Sequence, residues 1–260
     1  MRVVKMAFQV LEHVAEHQPI GVTELARKLD LPKSTVQRAL GTLHDLGWVE
    51  QEADGSRRWV QTTKLLVLSS RGGGLGLRER AMPVMRFLSE RTNENVHLSV
   101  RSGTGVVIVE KLDSGSAVRL FDPLGVVAPI HASSTGKAIL AWSDPKEIEE
   151  RLAQPLEAFT RRTITDPDAL RRELACIRRQ GYAVNRGEWR DEVRGVAAPI
   201  LDGNGRPLGA ISLAVPAHRL PDRRIPATAA LVVEAVGRLN PEIRADLPEQ
   251  ERQRSVGVPT

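Results

Sequence analysis

Two stretches of this chain carry residue types whose spacing could do chemistry. The first is His131-Ala132-Ser133-Ser134-Thr135-Gly136-Lys137. An imidazole beside hydroxyls suggests a base and a nucleophile, with Asp191 or Asp202 as a third group. No G-x-S-x-G elbow surrounds these serines, and the order along the chain matches no triad, which argues against an enzyme. Thr135-Gly136-Lys137-Ala138 also echoes a phosphate loop. That loop needs Gly at position 131 and Ser or Thr after the lysine, where His131 and Ala138 stand here. What the stretch offers is a loop entering a helix, whose free N–H groups suit a carboxylate or another anion.

The second stretch is Lys33, Ser34, Thr35, Gln37, Arg38 and Thr42. These side chains hydrogen-bond to phosphates and to base edges, and they share the side of a helix opposite an apolar stripe. Val36, Leu40, Leu43 and Leu46 form that stripe at three- and four-residue intervals. Pro32 suits the first turn, and Ser34 with Gln37 has capping-box spacing.

The elements around it must hold it in place. Thr23–Leu29 reads as a short helix that Thr23 caps, with Thr23 close enough to join the DNA-contact set. Val3 to Glu16 reads as a helix behind both, with Val3, Met6, Ala7, Val10, Leu11 and Val14 as its buried stripe. After Gly47, Trp48 to Gln51 and Arg58 to Thr62 can pair across Asp54-Gly55 as a hairpin. Two helices, a turn and a wing carrying Arg57 and Arg58 is the winged helix-turn-helix order.

The chain has 260 residues, 41% of them hydrophobic, enough for two domains with a core. Its net charge of +5 and pI near 9.8 suit a nucleic-acid partner. Cys176 is alone, so no internal disulfide forms, and neither a metal nor a cofactor is expected. No signal peptide and no membrane-spanning apolar run is read, which points to the cytoplasm and to no membrane partner.

Residues 1–63 are therefore read as the DNA-binding domain and 64–77 as a linker whose run Gly72-Gly73-Gly74 makes a hinge. A second domain covers 78–242, and 243–260 is a polar, flexible tail. The second domain opens on a helix from Leu77 to Arg91 and then alternates with period two, with strands at 96–100, 106–112 and 117–121. Helices follow, then strands at 182–185, 194–201 and 207–215, and a closing helix from Ala227 to Leu239. Such runs indicate α+β with a mainly antiparallel sheet. In the last strand Ile211, Leu213 and Val215 share one face, and the small Ala210, Ser212 and Ala214 share the other. A face of small residues either admits a close-packed helix or leaves room for a ligand. His97 reads as a satisfied polar residue and Lys137 as a surface or helix-start charge.

Four ordered stretches make the whole recognisable: LARKLDLPKSTVQRALGTLHDLGWV, PIHASSTGKAILA, TRRTITDPDALRRELACIRRQGYAV and GVAAPILDGNGRPLGAISLAVP. Over about residues 3 to 240 the chain resembles the IclR family of bacterial transcriptional regulators. The resemblance implies a winged helix-turn-helix, a linker and a GAF-like effector-binding domain. It implies a homodimer or dimer of dimers on double-stranded operator DNA, often as a repressor, and a small organic acid or aromatic effector. By position, the effector pocket falls on His131, Ser133, Ser134, Thr135 and Gly136, on Asn185, on Gly195, and on Ser212 and Ala214, with Leu120 as an apolar wall. Many members carry an acidic residue where Asn185 stands and a cysteine where Gly195 stands. Some carry a second serine in place of Ala214. The pocket is thus expected to be roomier and less acidic, suited to a larger or neutral ligand rather than a glyoxylate- or pyruvate-like one. The competing readings are a ligand-free winged-helix scaffold and, less favoured, an enzyme.

Overall fold

The computed structural model describes residues 2–71, 74–117 and 120–245. Contacts divide the chain into two units, Met1–Leu75 and Gly76–Thr260. Among the described residues no helix is long and apolar enough to cross a membrane.

In the first unit, α1 (Arg2–His17), α2 (Val22–Leu29) and α3 (Lys33–Asp45) are followed by the hairpin β1 (Val49–Gln51) and β2 (Trp59–Gln61), then by α4 (Lys64–Arg71). Its core joins Val10, Leu11 and Val14 of α1 to Leu25 and Ala26 of α2, Val36, Ala39, Leu40 and Leu43 of α3, and Trp59 of the hairpin. An Ile20–Trp59 bridge ties the loop before α2 to the hairpin. The stripe on α3 thus packs as the spacing predicts, except at its end. Leu46 is 55% exposed because the helix has ended and Gly47, at φ +73°, has turned the chain away. Val3 is 72% exposed, since the first turn of α1 stands clear of the three-helix core.

The two expected caps differ. Gly21 and Pro32 occupy the N-cap positions, and neither helix start has a side-chain cap. Thr23 and Ser34 lie two residues past the cap positions, inside their helices. The link after the hairpin is helical, and of the expected hinge Gly72 and Gly73 lie outside the described residues.

The second unit holds one sheet in the order β5-β4-β3-β8-β7-β6, antiparallel throughout. Its strands are β3 (Asn95–Ser102), β4 (Gly105–Leu112), β5 (Val127–Pro129), β6 (Ala183–Arg186), β7 (Val193–Leu201) and β8 (Pro207–Pro216). The helices are α5 (Gly74–Thr92), α6 (Ser134–Trp142), α7 (Pro145–Leu152), α8 (Pro167–Gln180) and α9 (Ile225–Ala245). The α5 helix starts before the expected Leu77, so Pro83 stands inside it. The strand expected over 117–121 falls partly on residues 118 and 119, outside those described; Ala117, Leu120 and Phe121 belong to no strand, and the edge is formed by β5 instead. The α9 helix runs on to Ala245, and residues 246–260 of the expected tail lie outside the described residues.

The two faces of β8 explain the layers. Ile211, Leu213 and Val215 join Val96, Leu98, Val196, Ala198 and Ile200 against α5 and α9. The small face turns to the other side, where Ala197 and Ala210 pack in the core that holds Ile139 and Leu140 of α6. The small residues of this strand therefore divide between two settings. Ala210 lets α6 come close, and Ser212 and Ala214 border a cavity.

Candidate functional site

On α3, Lys33, Ser34, Gln37, Arg38 and Thr42 are exposed and Thr35 is half-buried. The first turn of α3 carries no acidic residue, so its positive dipole end stays open to a phosphate. The Thr42 hydroxyl donates to the Arg38 carbonyl at 3.1 Å, leaving its oxygen to accept rather than donate. On the wing, Arg57 and Arg58 are exposed, and Arg58 lies 3.9 Å from Glu24 of α2. Thr23 is exposed on α2.

The second candidate site is built by the register of the sheet. Asn185 pairs Gly195, and Gly195 pairs Ala214. In the next row Ala197 pairs Ser212, and Ser212 pairs His97. Paired residues point to the same face, so residues far apart in sequence collect on one patch of sheet. The start of α6 lies over this patch. Ser133 caps it, donating to the Pro129 carbonyl at 2.7 Å and accepting from the Gly136 N–H at 3.1 Å. The next two N–H groups, of Ser134 and Thr135, have no acceptor among the described residues. Asn185, Gly195, Ser212, Ala214, Ser133, Ser134 and Thr135 border one cavity of about 40 Å³.

Three expected lining residues face elsewhere. His131 is buried outside this cavity, with Nε2 2.9 Å from the Glu157 carbonyl and Nδ1 3.1 Å from Arg151, and burial lowers its pKa. In that geometry His131 and Ser133 each have other partners and are not bonded to one another. Gly136 sits where a Cβ would meet the Ile130 backbone, so its role is close approach. Leu120 lies off the cavity, its carbonyl accepting from Asn95 at 2.8 Å.

The cavity is also tighter than expected. A Cβ on Gly195 would lie 2.8 Å from Ser134 Oγ and 3.1 Å from the Leu213 carbonyl, so the space a cysteine would take is filled by Ser134. Gly195→Ala is therefore expected to cost about 1–3 kcal/mol, read as a lower midpoint in urea with the slope unchanged.

Sequence reasoning missed other walls. His97, Asp122, Trp189 and Arg190 border the cavity as well. Asp122 is 3% exposed and accepts a hydrogen bond from Arg190, whose guanidinium lies over the Trp189 ring at 4.3 Å. His97 Nε2 is 3.9 Å from Asp122 and has no hydrogen-bond partner. Burial pushes the His97 pKa down against the opposing pull of Asp122, favouring the neutral imidazole. The alternation of β3 did place His97 on the polar face. Asp122 and Arg190 sit in irregular segments, where no periodicity marks an inward side chain.

Lys137 is likewise corrected. It is 0% exposed, with Nζ 2.8 Å from Glu188 Oε1 and 3.1 Å from Glu173 Oε1. Glu188 belongs to the segment that carries Trp189 and Arg190, and Asn185 Oδ1 holds that segment by accepting from the Gly187 and Glu188 N–H groups. Burial pushes the Glu188 carboxyl above its ordinary pKa, and Lys137 pulls it back.

Comparison with known proteins agrees with both halves. Residues 3–53 match the IclR helix-turn-helix domain, and residues 73–240 match the C-terminal domain of bacterial transcriptional regulators of the IclR type. The chain is 35% identical over 241 residues to the HTH-type transcriptional regulator BhcR of Paracoccus denitrificans, covering 92% of this chain and 86% of that one. It is 31% identical over 231 residues to the transcriptional repressor IclR of Escherichia coli, covering 87% and 84%. A crystal structure of an IclR homologue from Microbacterium hydrocarbonoxydans, complexed with 4-hydroxybenzoate, matches with a TM-score of 0.78 at 29% identity over 94% of this chain and all of that one. With a helix-turn-helix unit, an antiparallel α+β unit and these matches over both, the chain belongs to the IclR family of bacterial transcriptional regulators.

Proposed function

We propose that this regulator binds double-stranded operator DNA as a homodimer or dimer of dimers, in the cytoplasm, and that a small organic effector in the cavity below α6 sets its operator affinity. The reading rests on one observation: the cavity is bordered by polar residues, among them Ser134 and Thr135, whose N–H groups have no acceptor among the described residues, in a fold whose other unit exposes a polar helix face. Lys33, Ser34, Thr35, Gln37 and Arg38 enter the major groove or touch its phosphates, and Arg57 and Arg58 reach the backbone from the wing. Residues 64–77 serve as the linker that passes effector binding on to the DNA-binding units. In this reading the protein is a repressor, as its E. coli relative is named, and not an enzyme.

The DNA half is tested on duplexes selected from random sequence. Arg38→Ala is expected to cost about 1–3 kcal/mol of operator affinity at matched salt, with thermal stability unchanged. Equal affinity would remove Arg38 from the interface. The effector half is tested by thermal shift with carboxylates, aromatic acids and neutral metabolites. A ligand at 100 times its Kd adds about 2.7 kcal/mol, and that gain should vanish in Ser212→Trp.

A further inference from the structure

We propose that the groove between β5 and the end of α7 is a second small-molecule site, in which Arg151 takes a tetrahedral oxyanion of the phosphate type. This groove is not the cavity below α6, and the inference does not depend on the effector reading. His131 borders the groove, whereas Ser133, Ser134 and Thr135 of the same loop border the cavity. Among the described residues the two have Ala128 and Trp189 in common.

The first argument is an uncompensated charge. Arg151 lies in the last turn of α7. Its Nη2 donates to His131 Nδ1 at 3.1 Å and its Nη1 to the Pro155 carbonyl at 3.3 Å, while its buried Nε has no acceptor. A guanidinium carries five N–H groups, so three of them lack a partner among the described residues. His131 supplies no negative charge. Its Nε2 lies 2.9 Å from the Glu157 carbonyl, which only accepts, so the proton sits on Nε2 and Nδ1 is left to accept from Arg151. Arg101, Arg162, Arg171 and Arg190 each meet a carboxylate. Arg151 meets none among the described residues, and burial pulls its pKa down with no acid opposing it. A half-buried cation held by neutral groups alone favours an anion from outside.

The second argument is room and donors. The groove measures about 500 Å³, against about 40 Å³ for the cavity below α6. Ser102 and Thr104, at the turn between β3 and β4, and Gln154 add hydroxyl and amide donors to its wall. Donors on several sides suit the oxygens of a phosphate, and the guanidinium fork matches two of those oxygens at once. Val127 and Phe159, 57% and 37% exposed, lie on the same wall with the half-buried Trp189. They offer an apolar face to the organic part of a phosphate ester. Glu157 is the carboxylate among the described lining residues; it is exposed and exerts no listed pull on Arg151, so it weakens an anion's binding without filling its place.

The test uses full-length protein in a phosphate-free buffer at constant ionic strength. The probes are sodium phosphate and sodium phenyl phosphate, with sodium chloride as the control. Thermal-shift titrations should show both phosphates stabilising the wild type beyond chloride. Arg151→Gln removes the charged fork and should weaken both at least about tenfold. Because Arg151→Gln also disturbs the bond to His131, Glu157→Gln supplies a second readout at an exposed position. It removes the repelling charge and should tighten both probes about two- to fivefold. Tighter binding of phenyl phosphate than of phosphate identifies the ligand as an ester; equal binding identifies it as free phosphate.

No stabilisation beyond chloride, in the wild type and in Glu157→Gln, would overturn the inference. So would phosphate binding unmoved in Arg151→Gln, or not tightened in Glu157→Gln. Binding lost in Ser212→Trp but kept in Arg151→Gln would put the anion in the cavity below α6 and sink the groove.

Discussion

Lys137→Met is expected to destabilise the C-terminal unit by about 3–5 kcal/mol, because it leaves the Glu188 carboxylate buried without its cation. In a unit of this size that corresponds to roughly 6–20 °C in Tm. Lys137 has no exposure of its own, and its ammonium is the group that Glu188 and the half-exposed Glu173 converge on. Methionine keeps most of the volume and none of the charge. Replacing both partners, as Lys137→Met with Glu188→Leu, should recover most of the loss, since an apolar pair of similar size is close to neutral where a broken ion pair is not. The deficit should also depend on pH. Burial raises the Glu188 pKa in the folded protein above the unfolded value of about 4.3. Between those two values the folded state holds more protons, so stability falls as pH rises through the window. Without Lys137 the window extends further up. The variant should therefore lie nearest the wild type in acid, and the gap should widen toward neutral pH. Urea unfolding at several pH values checks both the size and the sign.

Gly136→Ala is expected to cost about 3 kcal/mol or more, at the upper end of overpacking penalties. The added Cβ would stand 2.4 Å from the Ile130 carbonyl oxygen, 2.6 Å from Ile130 Cα and 2.6 Å from Ser133 Oγ. Two of these neighbours are backbone, and the third is the cap that starts α6. None can swing away as a long side chain would. The loop before α6 must shift, and the Ser134 and Thr135 N–H groups shift with it. A Tm drop of roughly 6 °C or more should accompany loss of effector binding. An unchanged Tm would mean that the approach of the loop to α6 is looser than the geometry shows.

Much of this architecture could be read before any coordinates. The apolar spacing of α1 and α3, the Asp54-Gly55 hairpin signal and the two-faced pattern of β8 are local rules, and each acted as the local physics requires. The small face of β8 pointed at the cavity because period two assigns Ser212 and Ala214 to one side. The misses share a different cause. Thr23 and Ser34 are good capping types, yet the turns before both helices place Gly21 and Pro32 at the caps. Lys137 looked like a surface charge because nothing nearby in sequence reveals Glu188, fifty-one residues away. Arg190 and Asp122 are sixty-eight residues apart in irregular segments, and only the assembled sheet brings them together. His131, the most chemical residue of its loop, points away because the first turn of α6 is set by Ser133 and Gly136 rather than by the imidazole.

The central claim is that one molecule in the cavity changes the grip of the other unit on DNA. The direct measurement is operator affinity of full-length protein, on a duplex selected from random sequence, at fixed salt with and without a saturating effector. The effector is one that raises the Tm of the wild type and not that of Ser212→Trp. Coupling between the sites predicts a change of 5- to 150-fold in Kd, about 1–3 kcal/mol, with no change for Ser212→Trp. The same Kd with and without bound effector would contradict the account.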